Sequence, residues 1–148
     1  MKISDFLAPE NALVDISSSD KPRLLRDLSD RATASVGLPA DMISAALLKR
    51  EALGSTGLGS GVAIPHARLA DLRTPFGALV RLRKPMDFEA IDGQPVDIVF
   101  LLLLPEARGQ EQLNVLALVA RTLRTAEICR LLRQAPDSAG LYRSVVGT

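Results

Sequence analysis

The run Val96-Asp-Ile-Val-Phe-Leu-Leu-Leu-Leu104 constrains this chain more than any other stretch of it. Apolar residues stand at odd and even positions alike. A strand built that way needs cover on both of its faces. Residues 98–104 fall far short of the roughly 20 apolar residues that a bilayer span needs. Pro105 ends the run. A strand covered on both faces, set among helices of ten or more residues, implies a layered α/β domain. The length of 148 residues suits one such domain over residues 1–148.

The remaining pattern supplies the other layers. Residues 11–16 read as a first short strand. Asp20 is placed to cap a helix with Pro22 in its first turn. Leu24, Leu25, Leu28, Ala32 and Val36 recur at helical spacing, and Gly37 closes the segment. Pro39 opens a second helix with Ile43, Ala46, Leu47 and Leu53 on its apolar face, closed by Gly54. Residues 55–61 read as a loop and 62–64 as a short strand, Ile64 being held extended by Pro65. Residues 76–82 read as a strand, Lys84-Pro-Met-Asp as a turn, and Asp92-Gly93 as another turn. Residues 110–123 form a helix with Leu113, Leu116, Ala117, Ala120 and Leu123 on one stripe. A short helix over 126–133 follows, and Asp137 caps a last one that runs through Val146.

Composition removes several classes of function. The formal net charge is +1, so no bulk attraction draws the chain to nucleic acid or to an anionic membrane. Arg121, Arg124, Arg130 and Arg133 make helical pairs, but with no Trp and one Tyr they read as a solvated face, and no nucleic-acid partner is expected. A single Cys129 cannot form an internal disulfide, and it reads as a small buried apolar residue. The first residues carry no signal-peptide apolar region, so a cytoplasmic protein without direct membrane insertion is expected.

The chemistry converges on one histidine. His66 is the only one in the chain, in Gly57-Leu-Gly-Ser-Gly-Val-Ala-Ile-Pro-His-Ala-Arg68. The glycines lack the strand-before, helix-after context of a dinucleotide fingerprint and the lysine of a phosphate-binding P-loop. They remain either a tight connector or a nest of backbone N–H groups that could hold an anion. One histidine and one distant cysteine make no metal site, and no cofactor is expected. No serine stands in a nucleophile elbow. Two readings of His66 stay open on these residues: a structural imidazole at a strand end, or one that gains and loses a proton or a phosphoryl group near neutral pH. Phosphoryl chemistry would call for donors around it, with Ser55, Thr56, loop N–H groups, Arg50 and Arg68 in range along the chain.

The stretch Arg50-Glu-Ala-Leu-Gly-Ser-Thr-Gly-Leu-Gly-Ser-Gly-Val-Ala-Ile-Pro-His-Ala67 resembles the active-site region of phosphotransferase-system enzyme IIA proteins of the fructose/mannitol superfamily. It looks most like their nitrogen-regulatory branch. Ala90-Ile-Asp-Gly-Gln-Pro-Val-Asp-Ile-Val-Phe-Leu-Leu-Leu-Leu-Pro105 agrees, as do Leu116-Ala-Leu-Val-Ala-Arg-Thr-Leu123 and Ile128-Cys-Arg-Leu-Leu132. The resemblance implies a single-domain mixed β-sheet flanked by helices. It implies that His66 accepts a phosphoryl group from a histidine phosphocarrier protein and that Arg50 lies near that group. Ser55, Thr56 and Gly59 would fall in the flanking phosphate-binding loop. One departure stands out: where the family commonly carries a second histidine, this chain has Gln112, or Gln110 if the register slips.

Three functions follow as expectations. The first is a phosphocarrier that regulates partner proteins by its phosphorylation state. The second is a standalone sugar-specific enzyme IIA that hands phosphate to a separate IIB protein. The third is a binding module in which His66 is not phosphorylated.

Overall fold

A computed structural model describes residues 1–107 and 109–147; Arg108 and Thr148 lie outside that description. A 3₁₀ turn over Ile3–Asp5 precedes β1 (Leu7–Ile16), α1 (Lys21–Val36) and α2 (Ala40–Ala52). Three short strands follow: β2 (Gly57–Gly59), β3 (Val62–Ala63) and β4 (His66–Leu69). The long strands β5 (Phe76–Met86) and β6 (Val96–Pro105) complete the sheet, and α3 (Gly109–Leu123), α4 (Ala126–Gln134) and α5 (Ser138–Val146) close the chain.

The six-stranded sheet runs β1-β5-β6-β3-β2, with β4 also paired to β6. It is mixed: β5 is antiparallel to β6, whereas β1 is parallel to β5, and β3 and β4 are parallel to β6. The parity of β6 shows why both its faces are apolar. Val99, Leu101 and Leu103 pack with Leu24, Leu25 and Leu28 of α1 and Ile43 and Leu47 of α2. Ile98, Phe100, Leu102 and Leu104 pack on the opposite face with Val115 and Val119 of α3, Leu132 of α4 and Leu141 of α5. Residues 96 and 98–104 are all buried. Deleting such a side chain removes transfer energy and leaves a cavity, a loss of about 2–5 kcal/mol for a leucine cut to alanine. The helix starts follow the expected caps: Asp20 accepts from the Arg23 N–H and Asp137 from the Gly140 N–H.

Several expectations change. The first strand begins at Leu7, four residues earlier than its apolar pattern, because β1 is an edge strand paired only with β5 and tolerates Pro9 there. Lys84-Pro-Met is strand rather than turn, although the register slips between Arg81 and Met86. Part of the expected loop, Gly57–Gly59, is a strand antiparallel to β3, turning back through Ser60 and Gly61. The expected strand over 62–64 stops at Ala63, and the chain resumes as β4 at His66. The buried face of α3 is Gln112, Val115, Val119 and Leu123. The expected stripe of Leu113 and Ala117 faces out because the β-branched valines seat on the sheet. Leu53, expected on the apolar face of α2, is 82% exposed past the helix end.

Candidate functional site

The site forms where the edge of the sheet breaks. β3 and β4 lie end to end along β6, Ala63 opposite Val99 and His66 opposite Leu102. Pro65 stands in the gap, where it donates no hydrogen bond but accepts one from the Leu102 N–H (2.9 Å). The Ile64 N–H turns away to the Thr56 carbonyl (3.1 Å). The Ile64 carbonyl is left facing the His66 ring, at 2.8 Å from Nδ1.

That contact decides the tautomer. A carbonyl oxygen only accepts, so Nδ1 carries the proton in the neutral ring and Nε2 keeps the lone pair. Burial lowers the His66 pKa below the usual imidazole value, and the charges of Arg50 and Arg68 act the same way against the Ile64 carbonyl and Glu51. The neutral form, the nucleophile, is therefore favoured. In the folded state the ring refuses a proton that the unfolded chain takes at about pH 6.5. As pH falls from about 6.5 toward the lower folded value, this group should subtract from stability, and above 6.5 it should contribute nothing. A proton NMR titration of the His66 ring should place its midpoint below 6.5. A midpoint at or above that value would contradict the geometry.

His66, half-buried, opens on a cleft of about 670 Å³ lined by Lys49, Arg50, Arg68 and Gln112, with Leu53, Leu113 and Leu116 as apolar rim and Glu106 as the one carboxylate among the described residues that line it. A smaller cleft of about 240 Å³ shares Arg50, His66 and Leu116 and adds Ser55, Thr56 and Arg124. Cations thus outnumber carboxylates around the ring, which suits a group carrying nearly two negative charges. Arg50, in the last turn of α2, spends one N–H on the Gly54 carbonyl (2.8 Å). A guanidinium has four more.

The loop residues sit beside His66, but their hydroxyls are engaged. Ser55 Oγ donates to the Phe88 carbonyl (2.6 Å) and accepts from the Gly57 N–H (3.1 Å). Thr56 Oγ1 donates to Glu51. Each hydroxyl has one proton, so neither is free to donate to a phosphoryl group as the sequence suggested. Gly59 lines neither cleft. With φ of 99° it leads into the β2–β3 turn, where Asp92 accepts from the Ser60 N–H (2.9 Å). Gln112 does lie in the cleft with His66 and is 2% exposed; Gln110 lines neither cleft. Among the described residues no group of three or more His, Cys, Asp or Glu is placed to hold a metal ion. No helix there is long and apolar enough to cross a membrane.

Arg124, Glu51, Lys49 and Glu106 were not singled out as site residues from the sequence. Arg124 looked like part of a solvated face, yet its spacing of four from Ala120 and eight from Leu116 carries it to the His66 side. Glu51 gave no local signal, because its partners Lys21 and Thr56 meet it only in the fold.

Comparison with known proteins identifies the family and the fold. The sequence pattern of the family described as phosphoenolpyruvate-dependent sugar phosphotransferase system, EIIA 2, matches residues 5–145. A nitrogen regulatory protein of Bradyrhizobium diazoefficiens is 44% identical over 142 residues, 96% of this chain and 93% of that protein. The crystal structure of nitrogen regulatory protein IIA-Ntr from Neisseria meningitidis superposes with a TM-score of 0.92 at 34% identity, over 97% of this chain and 98% of that one. The mannitol enzyme IIA of Escherichia coli, solved in complex with phosphorylated enzyme IIB, shares the fold alone, with a TM-score of 0.78 at 14% identity over 95% of this chain and 97% of that one. The chain belongs to the EIIA 2 family of the phosphoenolpyruvate-dependent sugar phosphotransferase system.

Proposed function

We propose that this protein is a regulatory phosphocarrier. It takes a phosphoryl group onto His66 Nε2 from a histidine phosphocarrier protein and controls partner proteins through its phosphorylation state. The observation that carries this is the locked ring: Nδ1 is tied to the Ile64 carbonyl at 2.8 Å, and the other nitrogen is left as nucleophile beside a cationic cleft.

The transfer needs little from the protein beyond position and charge. The Nε2 lone pair attacks phosphorus, a P–N bond forms, and the donor's P–N bond breaks with its electron pair returning to the donor ring. Nδ1 keeps its proton on the Ile64 carbonyl throughout. Negative charge on the three equatorial oxygens is met by the remaining N–H groups of Arg50, with Lys49 and Arg68 on the larger cleft and Arg124 on the smaller one that shares His66. The apolar rim of Leu53, Leu113 and Leu116 gives a partner something to cover while the group passes. Adding nearly two negative charges to that rim changes which surface docks there. The nitrogen-regulatory relatives support the regulatory branch over a sugar-specific carrier. The mannitol protein, solved in complex with phosphorylated enzyme IIB, supports a protein partner for this fold.

Incubation with phosphoenolpyruvate, the first phosphotransferase enzyme and its carrier tests this. An acid-labile phosphoryl group on the wild-type chain is the expected result, and its absence would leave a binding module. Gln112 tunes the site in this account. Its amide can donate a hydrogen bond but cannot become cationic. Gln112→His should lengthen the lifetime of the phosphohistidine by about tenfold, the difference between a neutral and a charge-assisted hydrogen bond. An unchanged lifetime with an unchanged transfer rate, measured by loss of the label over time, would contradict that role.

A further inference from the structure

We propose that Lys21, acting through Glu51 and Thr56, positions His66 for phosphoryl transfer. This rests on His66 being the acceptor, and it assigns a role to residues from a helix remote in sequence from the active-site segment.

The connection is continuous. Lys21 Nζ lies 2.9 Å from Glu51 Oε2, with side chains only 11% and 6% exposed. Glu51 accepts the Thr56 hydroxyl on one oxygen and the Thr56 N–H (3.3 Å) on the other. The Thr56 carbonyl accepts the Ile64 N–H (3.1 Å), and the Ile64 carbonyl accepts His66 Nδ1–H (2.8 Å). One chain of contacts therefore runs from the first turn of α1 to the imidazole. The atom that fixes the tautomer of His66 is the carbonyl of Ile64, whose own N–H on the preceding peptide is held by Thr56, and Thr56 is held by a carboxylate that Lys21 neutralises.

A second set of contacts grips the same loop from the other side. Lys21 Nζ sits 4.8 Å above the Phe88 ring, and the Phe88 carbonyl accepts the Ser55 hydroxyl. Gly57 presses on the same segment: a Cβ there would stand 2.7 Å from Ala90 Cβ and 2.9 Å from Ala90 Cα. Residues 55–57 are clamped between Glu51 and residues 88–90, and Lys21 touches both jaws.

Stability alone is a weak reason for such a pair. A buried ion pair is often no better than apolar side chains of the same volume, whereas losing one partner strands the other charge. The pair also keeps the two charges at the end of α2 apart. Successive helix residues point roughly 100° apart, so Glu51 faces Lys21 and Thr56 while Arg50 faces the cleft. With its carboxylate occupied, Glu51 leaves the Arg50 charge to the phosphoryl group.

The test combines transfer kinetics with the state of the ring. In Lys21→Met, kcat for phosphorylation by the carrier should fall about tenfold or more, since small misplacements of a reacting group cost rates of that order. KM for the carrier should stay near the wild-type value. Nitrogen-15 NMR of the neutral ring should show the Nδ1–H tautomer in the wild type and a mixture in the variant, and Lys21→Arg should restore both readouts. Thr56→Val, which keeps the side-chain shape and removes the hydroxyl, should reproduce the tautomer mixture even if Lys21→Met fails to fold. If the folded variants keep the wild-type tautomer and rate and differ only in thermal stability, the proposal is overturned. If the wild-type chain accepts no phosphoryl group, the phosphocarrier function fails, and the ring tautomer still decides whether Lys21 positions His66.

Discussion

His66→Ala is expected to take up no acid-labile phosphoryl group while remaining folded. No second histidine exists to substitute for it. The ring is half-buried at the start of β4, and its hydrogen bond is the one from Nδ1 to the Ile64 carbonyl. Losing that bond should lower stability by only about 1 kcal/mol. The sheet pairing of residue 66 with Leu102 is made by backbone and survives the change. Circular dichroism and thermal melting should therefore show a near-native fold beside a complete loss of labelling. Labelling that persists in His66→Ala would place the phosphoryl group elsewhere.

The next largest effect is expected at Arg50. Removing one preorganised donor from a developing negative charge typically slows a reaction by about 10²–10³-fold. Arg50→Ala should slow phosphorylation by about that factor. Losing its hydrogen bond to the Gly54 carbonyl, at 2.8 Å, predicts a stability loss of about 1 kcal/mol. Arg50→Lys should recover part of the rate, because it restores the charge but not the planar fork. Rapid-quench kinetics with the phosphorylated carrier would measure both variants. An Arg50→Ala rate within twofold of wild type would remove Arg50 from the site.

What could be read in advance depended on how local the cause was. The two-faced character of β6 was legible because alternation along one strand needs no knowledge of partners, and its odd and even residues do divide between the two helical layers. Asp20 and Asp137 were legible for the same reason, since a cap bonds within three residues of itself. The stripe on α3 was misread. Leu113 was placed on the buried stripe, yet the helix buries Gln112 and turns Leu113, 53% exposed, onto the rim of the cleft. A site that must bury a polar group and expose apolar ones inverts the pattern on which such readings rely.

The loop shows the other limit. Ser55 and Thr56 were identified as neighbours of His66, but proximity is not availability. Their protons go to Phe88 and Glu51, 33 and 5 residues away in sequence. The glycines left a tight connector or an anion nest open, and the structure has a tight turn whose Ser60 N–H is taken by Asp92. The pairing of Lys21 with Glu51 was invisible because Lys21 belongs to no motif and the two are 30 residues apart. Hydrogen-bond partners of that range are set by the packing of α1 against α2, which no local pattern encodes.

Phosphoryl transfer at this site turns on one nitrogen. With Nδ1 committed to the Ile64 carbonyl, the phosphoryl group has only Nε2 to occupy. Long-range proton–nitrogen NMR of the phosphorylated protein, with phosphorus coupling to the ring, reads the position of attachment directly. The expected spectrum shows His66 phosphorylated at Nε2 with Nδ1 still protonated. Phosphorylation at Nδ1, or none on His66, would contradict it.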